Sequence, residues 1–211
     1  MPDTQGSIVM LYITRDGHVD AERIKVKIFS SIERGKLDVI NGIVVHQTGG
    51  STADGAFSSY QKAGANGAHF LIDKDGTIYQ TASLFRVTNH VGHLKSRCME
   101  TRKCTAAELK AANSIRGPIN LSRFELRKNF PSRFPSNTDS LGIEIVGRPI
   151  EGKGEDAIYE PVNAQQNASL QWLVKQLGET LGVSMREVYK HPQVSYKVKT
   201  EAATAIWQRD Y

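Results

Sequence analysis

The sequence predicts an α/β fold, with a mixed central β-sheet flanked by helices. Three observations predict it. Short runs rich in β-branched residues recur between polar, glycine-bearing segments: Ile43-Val44-Val45, Ala68 to Asp73 and Leu141 to Val146. The pair Asp75-Gly76 stands between two such runs and reads as a hairpin turn. Leu170, Leu173, Val174, Leu177 and Leu181 recur at intervals of three and four, which lays one apolar stripe along a helix. Strands interleaved with helices bury their faces by packing in layers.

Taken in order, residues 7–14 read as a strand and Asp16-Gly17 as a turn. A weak helical tendency spans Ala21–Phe29. The continuous run Ile43-Val44-Val45 reads as a strand buried on both faces, with His46 at its exit. Thr52 or Asp54 caps a helix running to about Ala63, and Gly64 and Gly67 stop it. Ala68–Asp73 and Thr77–Gln80 form the hairpin, and a short strand follows over Val87–Val91. Residues 95–139 are polar and too poor in large apolar side chains to build a core of their own, so they read as an insertion. Thr105-Ala106-Ala107-Glu108 is a capping box that starts one helix within them. Ser140–Gly147 is a strand carrying one charge, Glu144. The striped helix runs from Asn163 to a stop near Gly182, and a last helix is expected over Thr200–Trp207. With 211 residues, one domain over 1–211 is the default, with 1–40 as an N-terminal extension packed on it.

Composition narrows the function. A hydrophobic content of 39% and a charged content of 23% are ordinary for a globular chain. The formal charge of +5 suits an anionic partner and equally suits plain solubility. Aromatic and basic residues do not interleave, which argues against single-stranded nucleic acid. Two cysteines, Cys98 and Cys104, exclude a four-thiolate zinc site. They form either a local disulfide or a pair of free thiols. No run approaches the roughly 18 apolar residues of a membrane span, so no membrane insertion is expected. The start of the chain lacks a secretory signal pattern.

The chemistry is carried by a few polar residues set at element ends. His46 closes a strand, His191 follows Tyr189-Lys190, and Lys199 and Glu201 come soon after. Two imidazoles and a carboxylate suit an open tetrahedral zinc site, which fits His46, His191 and Glu201. Hydrolysis of an amide then needs a proton-transferring base, which Glu144 suits, and a cation near the developing oxyanion, which Lys199 suits. Ionised Glu is rarely buried alone. Glu144 therefore either borders a polar cleft, or meets a buried cation, or lies on the solvent face of an edge strand.

Five blocks together resemble the type 2 N-acetylmuramoyl-L-alanine amidases, whose fold is shared with peptidoglycan recognition proteins. Ile43-Val44-Val45-His46-Gln47-Thr48 resembles the strand ending in the first zinc histidine. Ala68 to Gln80 resembles the central hairpin, and Asn89-His90-Val91-Gly92 the Trp-His-x-Gly segment. Ser140-Leu141-Gly142-Ile143-Glu144-Ile145 resembles the strand with the catalytic carboxylate. His191-Pro192 through Glu201 resembles the closing segment with the second histidine, the lysine and the third ligand. The likeness spans roughly residues 41–207 outside 95–139. It departs in three places: Glu201 stands where relatives carry Asp or Cys, Ala202-Ala203 replaces Pro-Gly, and Asn89 replaces Trp.

The resemblance implies a zinc hydrolase that cuts the amide between N-acetylmuramic acid and L-alanine. His46, His191 and Glu201 would hold Zn2+, Glu144 and Lys199 would be catalytic, and Thr48, His90 and His93 would meet substrate. His69 reads as a packed structural residue and Lys197 as a solvated neighbour of Lys199. Expected partners are peptidoglycan or muropeptides, with a cognate inhibitor protein if the chain is a wall-lytic toxin. It also resembles bacterial amidases associated with type VI secretion, which would place its action in the periplasm after non-classical export. A cytoplasmic recycling enzyme is the other location, and a non-catalytic peptidoglycan-binding module is the other function.

Overall fold

The computed structural model describes residues 10–208, and the first part of the expected strand at 7–14 lies outside them. Six strands make the central sheet: β1 (Ile24–Val26), β2 (Gly42–Gln47), β3 (Phe70–Ile72), β4 (Ile78–Gln80), β5 (Ser140–Ile145) and β6 (Val188–Lys190). Their order across the sheet is β6-β2-β5-β3-β4-β1. Only β3 and β4 pair antiparallel, through the Asp75-Gly76 turn, and Gly76 takes a φ of 84° there. The other neighbours are parallel, so the sheet is mixed as the sequence predicts.

Side-chain alternation separates the two faces of this sheet. Ile43 and Val45 of β2, and Leu141, Ile143 and Ile145 of β5, pack against α4 (Ala164–Leu181) through Leu170, Leu173, Val174 and Leu177. Each of these four side chains is fully buried, which stabilises by about 2 kcal/mol apiece. Asn163 caps α4 with a reciprocal capping box, and Gly182 ends it at a φ of 70°. The opposite face carries Val44, which packs with Val91, Leu94, Phe134 and Val194. His46 and Glu144 alternate onto that same face.

Two other helices form as their caps predict. Thr52 accepts from Gly55 N and starts α1 (Ala53–Tyr60). Thr105 and Glu108 form the expected capping box of α2 (Ala106–Asn113). A further helix, α3 (Pro118–Glu125), sits in the same segment with Pro118 in its first turn, a position where a missing N–H costs nothing. Cys98 and Cys104 are joined as a disulfide.

Two expectations are corrected. Ala21–Phe29 is not helical, because Ile24, Lys25 and Val26 pair in parallel with β4 as the sheet's edge strand. Thr200–Trp207 is a chain of turns. Ala202 there holds a left-handed φ of 54°, which no α-helix accommodates.

The end of the 95–139 segment is riveted to the entry of β2. Asp139 accepts from Arg133, Ser136 N and Asn41 Nδ2 at 2.7–3.1 Å, and its side chain is 4% exposed. Burial works to raise this carboxyl's pKa, but the bonds from Arg133, Asn41 and Ser136 outweigh it and hold it below its ordinary value. Asp139→Asn is expected to lower stability by about 2 kcal/mol, read as a shifted urea midpoint. The carboxylate's contribution is present above its unfolded pKa of about 3.9 and is lost as pH falls through the lowered folded value. The Asn variant should lack that acid-side loss, and an identical acid profile would refute the role.

Candidate metal centre and active site

The three parallel strands β6, β2 and β5 lie side by side, and their carboxyl ends supply the chemistry. His46 is next to last on β2, Glu144 is next to last on β5, and His191 follows β6 directly. The register pairs His46 with Glu144. Pairing of Val188, Tyr189 and Lys190 with Ile43, Val44 and Val45 then brings His191 beside His46. Open parallel sheets bind ligands at this end. Glu201 arrives from the turn that follows.

The imidazole centroids of His46 and His191 lie 4.1 Å apart. Glu201 Oε1 is 2.9 Å from His191 Nδ1 and 3.6 Å from His46 Nδ1. One ligating atom from each of the three falls within 4.8 Å of the other two, and all three residues are buried. Burial, then the neighbouring His191, hold His46 down to about 4, so it is neutral at pH 7. Burial works to raise the Glu201 pKa, but the hydrogen bond from His191 and the neighbouring His46 ring outweigh it and bring it to about 2. A neutral imidazole and an ionised carboxylate are the states a metal needs. The donor set of two nitrogens and one oxygen fits zinc with a position left open.

The turn carrying Glu201 is tied down from several sides. Gln47 Oε1 accepts from Ala202 N, Thr200 Oγ1 donates to Ala157 O, and Thr204 Oγ1 accepts from Val162 N. Lys190 Nζ donates to Ala203 O. These clamps hold the turn that carries Glu201.

Glu144 is not on a solvent-facing edge. It sits on an interior strand, faces the same cleft, and accepts a short hydrogen bond from Tyr60 Oη of α1. Burial pushes its carboxyl above the ordinary value, although the Tyr60 hydroxyl opposes this. Tyr60 is in turn pushed well up by burial and by Glu144. A tyrosine on a helix's apolar stripe reads as core, so nothing in the sequence marked it.

The cleft has a volume of about 600 Å³ and is lined by His46, Glu144, His191 and Glu201 together with Thr48, His90 and His93. Its remaining walls include Asn66, Asn89, Asn137, Tyr159 and Lys197. Thr48 spends its hydroxyl on Gly50 and Gly147. His93 is exposed at the rim. His90 stands behind His46, with its Nδ1 3.1 Å from His46 Nε2. Lys199 lies outside this group, in an adjoining hollow with Lys95 and Tyr196, whereas Lys197 lines both. His69 is fully buried, accepts from Gly142 N through Nδ1 and bonds Arg86 O through Nε2, so its ring stitches backbone together.

No curated protein sequence matches the chain. Among solved structures, it is similar to a selenomethionine derivative of AmpD, at 14% identity over 90% of this chain and 91% of that one, with a TM-score of 0.53. It is also similar to the N-acetylmuramoyl-L-alanine amidase LysC from Clostridium intestinale URNW, at 18% identity over 84% and 87%, with a TM-score of 0.48. Drosophila peptidoglycan recognition protein SD matches at 16% identity over 87% and 91%, with a TM-score of 0.46. The family model described as N-acetylmuramoyl-L-alanine amidase matches residues 36–204, a span that holds His46, Glu144, His191 and Glu201. The chain belongs to the N-acetylmuramoyl-L-alanine amidase family.

Proposed function

We propose that this chain is a zinc-dependent amidase that hydrolyses the bond between the lactyl group of N-acetylmuramic acid and L-alanine in peptidoglycan. The observation that carries the reading is the convergence of His46, His191 and Glu201 in a cleft that also contains a half-buried, base-competent Glu144. Zinc held by those three residues would polarise the scissile carbonyl and lower the pKa of water to about 7. Glu144 takes a proton from the attacking water and returns it to the leaving nitrogen. Tyr60 fixes the orientation of that carboxylate. A pure binding module has no use for such a base.

The cation near the developing oxyanion is Lys197 in this reading, in place of Lys199. Lys197 lines the cleft with the metal ligands, and its charge is felt at His46. Lys197→Ala is expected to lower kcat by roughly 10²-fold, against about threefold or less for Lys199→Ala. Steady-state kinetics on soluble muropeptides would check this, and the reverse ranking would restore Lys199.

No helix among the described residues is long and apolar enough to cross a membrane. The disulfide favours action in an oxidising compartment such as the periplasm. The decisive experiment incubates the protein with purified sacculi, with and without a chelator, and identifies the released ends by mass spectrometry. Chelator-sensitive release of peptides with a free L-alanine amine is expected. Intact sacculi at zinc saturation would leave only the binding function.

A further inference from the structure

Both metal-binding histidines are oriented by two consecutive residues. His46 Nε2 meets His90 Nδ1 at 3.1 Å, and His191 Nε2 donates to the carbonyl of Val91 at 2.8 Å. One two-residue stretch, through the His90 ring and the Val91 carbonyl, therefore meets the far nitrogen of each ring. That segment is itself held by one side chain, because Asn137 Oδ1 accepts from His90 N at 3.0 Å and from Val91 N at 2.7 Å.

The direction of the His90 bond follows from what lies behind it. His90 Nε2 faces the carbonyl of Ser140 at 3.4 Å and the Ser140 hydroxyl at 3.3 Å. That hydroxyl spends its own proton on Ser136 O at 2.6 Å. Both neighbours of His90 Nε2 therefore accept, so Nε2 carries the proton and Nδ1 is the acceptor. His46 must then donate from Nε2, which turns its Nδ1 toward Glu201. The close approach depends on Gly142, where a Cβ would sit 2.9 Å from the His90 ring.

We infer that Asn137, His90 and Val91 form a positioning unit that sets both ligand imidazoles as Nε2–H tautomers and aims both Nδ1 atoms at the metal. The inference rests on the functional reading above and deepens it. It also gives the 95–139 segment, which contributes Asn137, a part in the metal site beyond forming a wall. Partners that fix ligand tautomers typically change metal affinity by about 10–100-fold when removed.

The test uses the full chain stripped of metal and a chromogenic chelator competing for zinc. His90→Phe keeps the ring and removes the acceptor; Asn137→Ala removes the clamp; Asn137→Asp keeps an oxygen at the same place. Zinc affinity is expected to fall by about 10–100-fold in the first two and to recover in the third. Metal-free thermal melts monitor folding separately. Histidine 15N spectra of the wild-type chain should show both zinc-bound rings ligated through Nδ1, a readout that needs no variant. Zinc affinity within twofold of wild type in both His90→Phe and Asn137→Ala, or ligation through Nε2, would overturn the inference alone. A wild-type chain that takes up no zinc would overturn the functional reading, and this inference with it.

Discussion

Glu144→Gln is expected to reduce turnover by roughly 10³-fold and to leave zinc uptake unchanged. Gln preserves the shape of the side chain and can still accept from the Tyr60 hydroxyl, so the cleft is left standing. Only proton transfer is lost. The acid limb that Glu144 sets in the kcat/KM profile should vanish in the variant. The stability effect has the opposite sign. A carboxyl whose folded pKa is raised stabilises the fold at low pH, and that contribution is lost as pH rises through the folded value. At neutral pH the native Glu144 is thus a burden on the fold, and Glu144→Gln should melt at the same temperature or higher. A variant that keeps more than about a tenth of wild-type turnover would remove Glu144 from the chemistry.

Glu201→Gln should act on the metal first. Glu201 contributes the one carboxylate of the ligand cluster and touches both histidines, with its pKa held to about 2. Replacing its anionic carboxylate by a neutral amide, a far poorer zinc ligand, is expected to weaken zinc binding on the order of 10³-fold, and activity should fall with occupancy. Glu144 and Lys197 remain in place, so a large excess of zinc should restore part of the rate. No such rescue is expected for Glu144→Gln. Metal titration followed by assay in the same samples separates the two variants. Unchanged zinc affinity in Glu201→Gln would show that the third ligand comes from elsewhere.

The apolar patterns that mark β2, α4 and the Asp75-Gly76 hairpin were legible because they are local. Each is a short-range rule about alternation, helical period or turn geometry, and the fold keeps them. His46, His191, Glu144 and Glu201 were named chiefly because the blocks around them resemble a known family, and the fold brings all four to one cleft. Elements whose form depends on distant partners could not be read in this way. Ile24–Val26 is extended because β4 is there to pair with it. The turns after Thr200 exist because Gln47, 155 positions earlier, accepts from Ala202 N.

The same division holds for the site. The sheet-and-helix class, the long helix and the kinds of group available for chemistry follow from local sequence pattern. Packing between distant segments sets which face of the sheet Glu144 occupies, that Tyr60 bonds it, that Lys197 rather than Lys199 lines the cleft with His46, and that Asn137 grips the segment behind both histidines. The physical reason is that periodicity is written in neighbouring residues. Hydrogen-bond direction and charge proximity depend on the register between strands far apart in the chain.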